Sequence, residues 1–156
     1  MANNQYWTAE VGINHAPAYQ VSGRPYANAD IDPKFATEVS FPYVTRWVKI
    51  INKTAFPMRV GFSENGVSGS VGSDVDGPTK AYFTIDASGS TRGYGVSDRL
   101  EMKVSELWLW DGAGADCSAG VDIVAGLTTI PSNRTNMEPS SATNVKPNWS
   151  GSAGVG

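Results

Sequence analysis

Apolar and polar residues alternate with a period of two through most of the middle of the chain. The clearest runs begin at Val44, Met58, Ala81, Leu100 and Val121. They are rich in β-branched and aromatic side chains, which is typical of strands that turn one face toward a core. The pattern therefore predicts that nearly all regular structure in this chain is β-strand.

Turn-forming clusters separate these runs at short intervals. Asn65-Gly66, Asp76-Gly77-Pro78, Ser88-Gly89-Ser90 and the stretch 111–114 are all rich in residues that favour turns. Short strands with such regular interruptions are typical of an antiparallel β-sandwich or a jelly roll. A helix over residues 99–110 is the main competing interpretation, although its aromatic and β-branched residues fit a strand at least as well.

The alternation also predicts which side chains face the core, because a slip of one residue would turn each strand inside out. Twelve positions are expected to point inward: Val48, Ile50, Val60, Phe62, Phe83, Ile85, Leu100, Met102, Val104, Ile123, Ala125 and Leu127. The expected all-β fold is thus an antiparallel sandwich, jelly-roll-like, over residues 37–130.

Both ends of the chain look different from this middle region. Residues 1–36 are predicted to form an extended N-terminal arm and residues 131–156 an extended C-terminal tail, because neither has enough apolar residues for a core. We expect the arms to contact other subunits more than their own sandwich; the alternative is an arm that folds back as an edge strand. The expected anchors are the scattered large side chains Tyr6, Trp7, Tyr19, Tyr26, Phe35, Met137 and Trp149.

Two further tryptophans, Trp108 and Trp110, share strand parity and should point to one face. A pair of this kind can stack on a sugar ring. Burial in a core or at a subunit interface is the favoured interpretation, because Leu107 and Leu109 fill the opposite face.

The length and the net charge of the chain argue against nucleic-acid and membrane partners. The chain has 156 residues, which suits one domain, and a formal net charge of −3. A nucleic-acid-binding protein usually needs a basic face, so no nucleic-acid partner is expected. No membrane partner is expected either, because no apolar run approaches the roughly 20 residues that span a bilayer and the first residues lack the features of a signal peptide.

Reactive side chains are scarce. The single His15 and the single Cys117 cannot build a metal site or a disulfide within one chain, and neither has the partners that a nucleophile needs. The acidic pairs Asp30/Asp32 and Asp74/Asp76 are interpreted as turn residues. We therefore expect no enzyme activity, no cofactor and no metal. Three glycosylation sequons are interpreted as chance matches and begin at Asn52, Asn133 and Asn148.

Several short sequence motifs follow one another in a fixed order over about residues 44–131. The motifs are Arg59-Val-Gly-Phe-Ser63, Ala81-Tyr-Phe-Thr-Ile-Asp-Ala87, Val104-Ser-Glu-Leu-Trp-Leu109 and Val124-Ala-Gly-Leu-Thr-Thr-Ile-Pro131. Their order and spacing resemble small jelly-roll proteins of virus shells, in particular the capsid decoration (cement) proteins of tailed bacteriophages. Penton-type viral jelly rolls are similar at this level.

The resemblance implies a structural virion protein without an active site. It implies binding to the major capsid protein on the outer capsid surface, as a homotrimer, after synthesis in the host cytoplasm. A vertex (penton) jelly roll and a carbohydrate-binding or adhesin module are the alternatives.

Overall fold

Eight strands and one short helix account for the regular structure of the described residues. The computed structural model describes residues 16, 23–68, 82–89, 95–115 and 117–132. In chain order the elements are β1 (Arg24–Ile31), β2 (Thr37–Ser40), β3 (Tyr43–Asn52), β4 (Met58–Gly61), α1 (Glu64–Ser68), β5 (Tyr82–Ile85), β6 (Gly95–Val96), β7 (Glu106–Trp110) and β8 (Val121–Pro131).

The strands form two antiparallel four-stranded sheets, with the orders β1-β8-β3-β6 and β2-β7-β4-β5. Four of the pairings are nested: β1 with β8, β2 with β7, β3 with β6 and β4 with β5. The chain is thus a long antiparallel ribbon whose tip lies between β4 and β5. Wrapping this ribbon around a core adds the β8–β3 and β7–β4 pairings, which is the jelly-roll arrangement. The all-β sandwich predicted from the sequence is confirmed.

The core lies between the two sheets and follows the predicted register. Eight of the twelve expected positions are fully buried, and the other four, Phe62, Phe83, Leu100 and Met102, are partly buried against the same cluster. Met58, which the alternation with Val60 and Phe62 also places inward, is fully buried. The sequence pattern left out several other core side chains: Val39, Phe41, Leu107 and Leu109, each at most 3% exposed.

The run that begins at Leu100 is neither a helix nor a regular strand. Leu100 and Val48 exchange two backbone hydrogen bonds, at 2.8 and 2.9 Å, in an isolated bridge. Further along, the Thr45 hydroxyl accepts from the Val104 amide at 3.0 Å and donates to the Met102 carbonyl at 2.7 Å. The segment between β6 and β7 therefore runs beside β3 and closes that flank of the core.

The predicted boundary at residue 37 needs correction. Strand β1 lies inside the range assigned to the N-terminal arm, and Arg24 to Ile31 pair with β8. The sandwich therefore begins at Arg24. The sequence pattern did not predict β1, because β1 is a polar edge strand with most of its residues exposed and little alternation of apolar and polar residues. The remainder of the N-terminal arm, residues 1–22 apart from Ala16, and the tail beyond Ser132 lie outside the described residues.

Neighbouring residues on β8 test the register. Ile123 is fully buried, whereas Val124 on the opposite face is 37% exposed. Ile123→Ala should lower the free energy of unfolding by about 2–5 kcal/mol, because it leaves a cavity in the core. Val124→Ala should cost less than about 1 kcal/mol. Urea titration of both variants provides the measurement, and equal costs would contradict the register.

Truncation tests the position of the boundary. Deleting residues 1–22 leaves all eight described strands, so the β-sheet circular dichroism and cooperative melting should persist. Deleting residues 1–36 also removes β1 and uncovers one edge of β8. We expect that longer deletion to abolish cooperative melting. A fully folded protein lacking residues 1–36 would restore the boundary at residue 37.

Candidate interaction surfaces

The polar interior contacts are structural. Asp111 accepts hydrogen bonds from the amides of Ala113, Gly114 and Ala115 at 2.5–3.0 Å and so organises the turn after β7. The buried Cys117 thiol lies 3.8 Å from the same carboxylate. No three His, Cys, Asp or Glu side chains of the described residues are grouped as a metal site would require. In the same part of the chain no helix has the length and apolar character of a membrane span.

Trp108 and Trp110 lie on the outer face of the β2-β7-β4-β5 sheet, as their parity predicted. Both tryptophans are half-buried. The leucines that alternate with them along β7, Leu107 and Leu109, point into the core. The indole of Trp108 lies 3.4 Å from the Glu106 carboxylate, to which it donates. This face is therefore aromatic but already carries intramolecular contacts.

Arg59 ties this outer face together. Its guanidinium lies 4.7 Å from the ring centre of Tyr82 and 4.9 Å from that of Trp110, a cation–π arrangement on two rings. It also donates to the carbonyl of Val67 in α1 at 3.3 Å. Gly112 is favoured beside it by a left-handed backbone, φ 80°, and a Cβ there would lie 2.8 Å from the guanidinium, which would have to shift. One ring face of Trp110 is thus already occupied.

Lys53 links the ends of β1, β3 and β8. Its ammonium group lies 2.6 Å from a carboxylate oxygen of Asp30 and 2.8 Å from one of Asp122. The hydrogen bond to Lys53 lowers the pKa of Asp122, and the bonds to Asp122 and Asp30 raise the pKa of Lys53. Asp30 has a left-handed backbone, φ 57°, and packs on Gly120, where a Cβ would lie 2.6 Å from its Cα. The network fixes the end of the edge strand β1.

Of the other acidic residues that the sequence analysis interpreted as turn residues, only Asp32 lies within the described residues. The Asp32 carboxylate accepts from the Lys34 amide at 3.0 Å, which is the turn role predicted for it. Asp74 and Asp76 lie outside the described residues.

The sequon at Asn52 is buried. The Asn52 side chain is 1% exposed and donates to the carbonyls of Phe56 and Asp86 at 2.8 and 3.0 Å. Its oxygen accepts from the amide and hydroxyl of Thr54. This amide is a structural group that joins β3 to the following turn, and its hydrogen-bonding capacity is filled. Asn133 and Asn148 lie outside the described residues.

Tyr26 anchors β1 to its own sandwich, which corrects its assignment to a partner groove. Its register partner on β8 is the buried Ala125, and its ring meets Phe41 edge-on with the centres 5.0 Å apart. The aromatic side chain therefore supplies the inward contact of an otherwise exposed strand.

Two phenylalanines are the most exposed large apolar side chains of the described residues. Phe35, between β1 and β2, is 72% exposed, and Phe56, between β3 and β4, is 40% exposed. Sequence reasoning singled out Phe35 and missed Phe56, whose position between Ala55 and Pro57 is a weak turn signal.

The structure brings only some of the predicted interface residues together. Trp108 and Trp110 share a sheet face, and Phe35 lies in the loop between β1 and β2. The remaining predicted anchors and His15 lie outside the described residues: Tyr6, Trp7, Tyr19, Met137 and Trp149.

No protein-family model matches this chain, and no curated protein and no solved structure matches it either. Function is therefore inferred from the topology and the surfaces described above.

The Lys53 network predicts a pH dependence. Because the pKa of Asp122 is lowered in the folded state, the ionised carboxylate stabilises the fold above the ordinary range of an aspartate, about pH 3.9. That contribution is lost as the pH falls through the lowered pKa. Asp122→Asn should therefore lower the urea midpoint at pH 7 and have little effect once the carboxylate is protonated.

Asp98→Asn is the matched control, because Asp98 forms no ion pair in the described part of the chain. Urea titrations from pH 7 down to pH 2.5 give the comparison. A difference between Asp122→Asn and wild type that stays constant over this range would contradict the assignment.

Proposed function

We propose that this chain is a structural virion protein that decorates and stabilises a viral capsid. It binds the lattice of the major capsid protein on the outer surface and does so as a homotrimer. The observation that carries the proposal is the nested strand order β1-β8-β3-β6 and β2-β7-β4-β5. Two-sheet jelly rolls of this kind recur in viral capsid proteins, although they also occur in lectins and cupins.

The interior of the sandwich favours a structural role over a ligand-binding one. The middle of the space between the sheets is filled by close-packed apolar side chains, with Ile50, Met58, Leu107 and Ile123 fully buried. A cavity of about 360 Å³ lies at one margin, between the edge strands β5 and β6. A filled core of this kind is rigid and transmits force between the two sheets. Both properties suit a protein that reinforces a shell.

The edges of the sheets suit a protein that must not polymerise on its own. Strand β1 carries a register shift between Asn28 and Ile31 and ends in the Lys53 network. The other edge strands are short: β2 and β5 have 4 residues each and β6 has 2. Short or irregular edges discourage strand-to-strand association. Contacts with a lattice would then be made by surfaces and arms.

The two terminal segments leave the sandwich side by side. Since β1 and β8 are antiparallel neighbours, the start of β1 and the end of β8 lie at the same end of the same sheet. Ser132 is still bonded there, to the carbonyl of Pro42 at 3.3 Å. We propose that residues 1–22 and 133–156 make contacts with neighbouring subunits from this end, because repeated modest contacts around a symmetric lattice add up through avidity.

A vertex (penton) protein would use the same fold and the same arms, so stoichiometry must separate it from a decoration protein. The carbohydrate-binding alternative draws less support. Its candidate platform is Trp110, whose ring already faces Arg59 at 4.9 Å.

Light scattering and shell binding test the proposal. The isolated chain should have three times the 16.6 kDa mass of one copy. It should co-sediment with empty shells of the major capsid protein encoded in the same genome. Deletion of residues 1–22 or of residues 133–156 should weaken trimerisation or shell binding while the circular dichroism stays unchanged.

Occupancy separates the competing outcomes. Binding over the whole shell supports decoration, and binding restricted to fivefold vertices supports the penton alternative. A monomer that binds no shell but is retained on a glycan array would overturn the proposal in favour of the carbohydrate-binding module.

A further inference from the structure

One end of the sandwich gathers the most exposed aromatic residues of the described chain. Strands β1 and β3 both run antiparallel to β8, so they run parallel to each other and finish at the same end. The turns that follow them carry Phe35 and Phe56, and the start of β8 lies there too. We call this the loop end; it comprises residues 30–36, 52–57, 86–89 and the described residues of 111–122. The terminal segments leave from the opposite end.

The strand order fixes how far apart the ends of β1 and β3 stand. β8 is the single strand between them, so these ends are separated by two strand spacings, roughly 9–10 Å. Phe35 lies four residues beyond the end of β1, and Phe56 lies four residues beyond the end of β3. Both phenylalanines therefore belong to turns at the same end of the sandwich.

Both phenylalanines stand on turns in which the phenylalanine's own carbonyl oxygen accepts hydrogen bonds from side chains. The carbonyl of Phe35 accepts from the Thr37 hydroxyl at 2.9 Å. The carbonyl of Phe56 accepts from the Asn52 amide at 2.8 Å and lies 2.9 Å from the Thr54 hydroxyl, whose one proton it shares with the Asn52 side-chain oxygen. An exposed aromatic on a fixed turn loses little conformational freedom on binding, which makes it an effective anchor.

The charges around the rings indicate the chemistry of the partner. Within the described residues the surface of the loop end carries four aspartates, Asp30, Asp32, Asp86 and Asp122, against two lysines, Lys34 and Lys53, while Asp111 is buried. Lys53 is itself held by two of the aspartates. Anionic lipid attracts basic rather than acidic surfaces. An apolar pair with an acidic rim instead complements a protein surface with apolar pockets and basic residues at their margins.

We propose that the loop end is the surface that seats this protein on the capsid shell, with Phe35 and Phe56 inserted into apolar pockets rimmed by lysine or arginine. This inference rests on the proposed function and names the contact that the function requires. The terminal segments, which leave from the opposite end, then link neighbouring copies of this chain.

A double variant tests the anchors. Phe35→Ser with Phe56→Ser should lower the affinity for empty shells of the major capsid protein at least tenfold, as expected for central aromatic anchors. The matched control is Val96→Ser with Val124→Ser. It replaces two apolar side chains, 39% and 37% exposed, on the outer face of the β1-β8-β3-β6 sheet. This control should bind like wild type. Circular dichroism and melting must show that both variants are folded.

Two further measurements test the charge and the class of partner. Shell affinity should fall several-fold between 50 and 300 mM KCl, and Asp86→Lys should lower it further. Vesicles of phosphatidylcholine and phosphatidylserine, 4:1, should not bind. Vesicle binding that depends on Phe35 and Phe56 would overturn the inference in favour of a membrane contact.

The possible failures are distinct. If wild type binds shells and the phenylalanine double variant binds equally well, the inference is overturned and the proposed function stands. If wild type binds no shell at all, the proposed function fails and the inference fails with it.

Discussion

The pairing of β8 between β1 and β3 is the interaction on which the rest of the structure depends. β8 is the last described strand, yet it occupies a central position and contacts both the first strand and the longest strand of the first half of the chain. Its inward side chains Val121, Ile123 and Ala125 fill the middle of the core. The β1-β8-β3-β6 sheet therefore cannot form until Val121–Pro131 has joined the strands that precede it in the chain. Such nonlocal pairing is slow to form and costs loop-closure entropy, which the buried core must offset.

The same pairing explains which parts of the fold the sequence could predict. Where a strand is buried on one face, alternation is strong, and the positions expected inward on β3, β4 and β8 lie in the core. Alternation fails at β1, because an edge strand needs only an occasional inward residue such as Tyr26. It also misleads after Leu100, where inward side chains come from a segment that bridges to β3 without forming a ladder. The alternation of apolar and polar residues therefore predicts that one face of a strand is buried, but it does not predict which strands pair.

The surfaces were harder to predict for a related reason. The parity of Trp108 and Trp110 follows from the strand period, so their common face was foreseeable. The position of Arg59 over Tyr82 and Trp110 depends on which strands are neighbours, and a single sequence does not give strand order. Phe56 was overlooked because a short turn with one aromatic has no distinctive pattern. Its position at the same end as Phe35 becomes visible only from the pairing of β1 and β3 with β8.

The jelly roll therefore has two ends with different physical character. At one end the turns are fixed by side-chain hydrogen bonds to the backbone, as at Thr37 and Thr54, and by the ion pairs of Lys53. Contacts made there need little further ordering, so the free energy of each contact is mostly retained on binding. At the other end lie the start of β1 and the end of β8, where residues 1–22 and 133–156 join the sandwich. Under the proposed function, a preorganised contact at the loop end would seat each copy on the shell, and the cost of ordering residues 1–22 and 133–156 would be met only beside a neighbouring copy. Such a division would favour cooperative filling of a lattice over isolated binding.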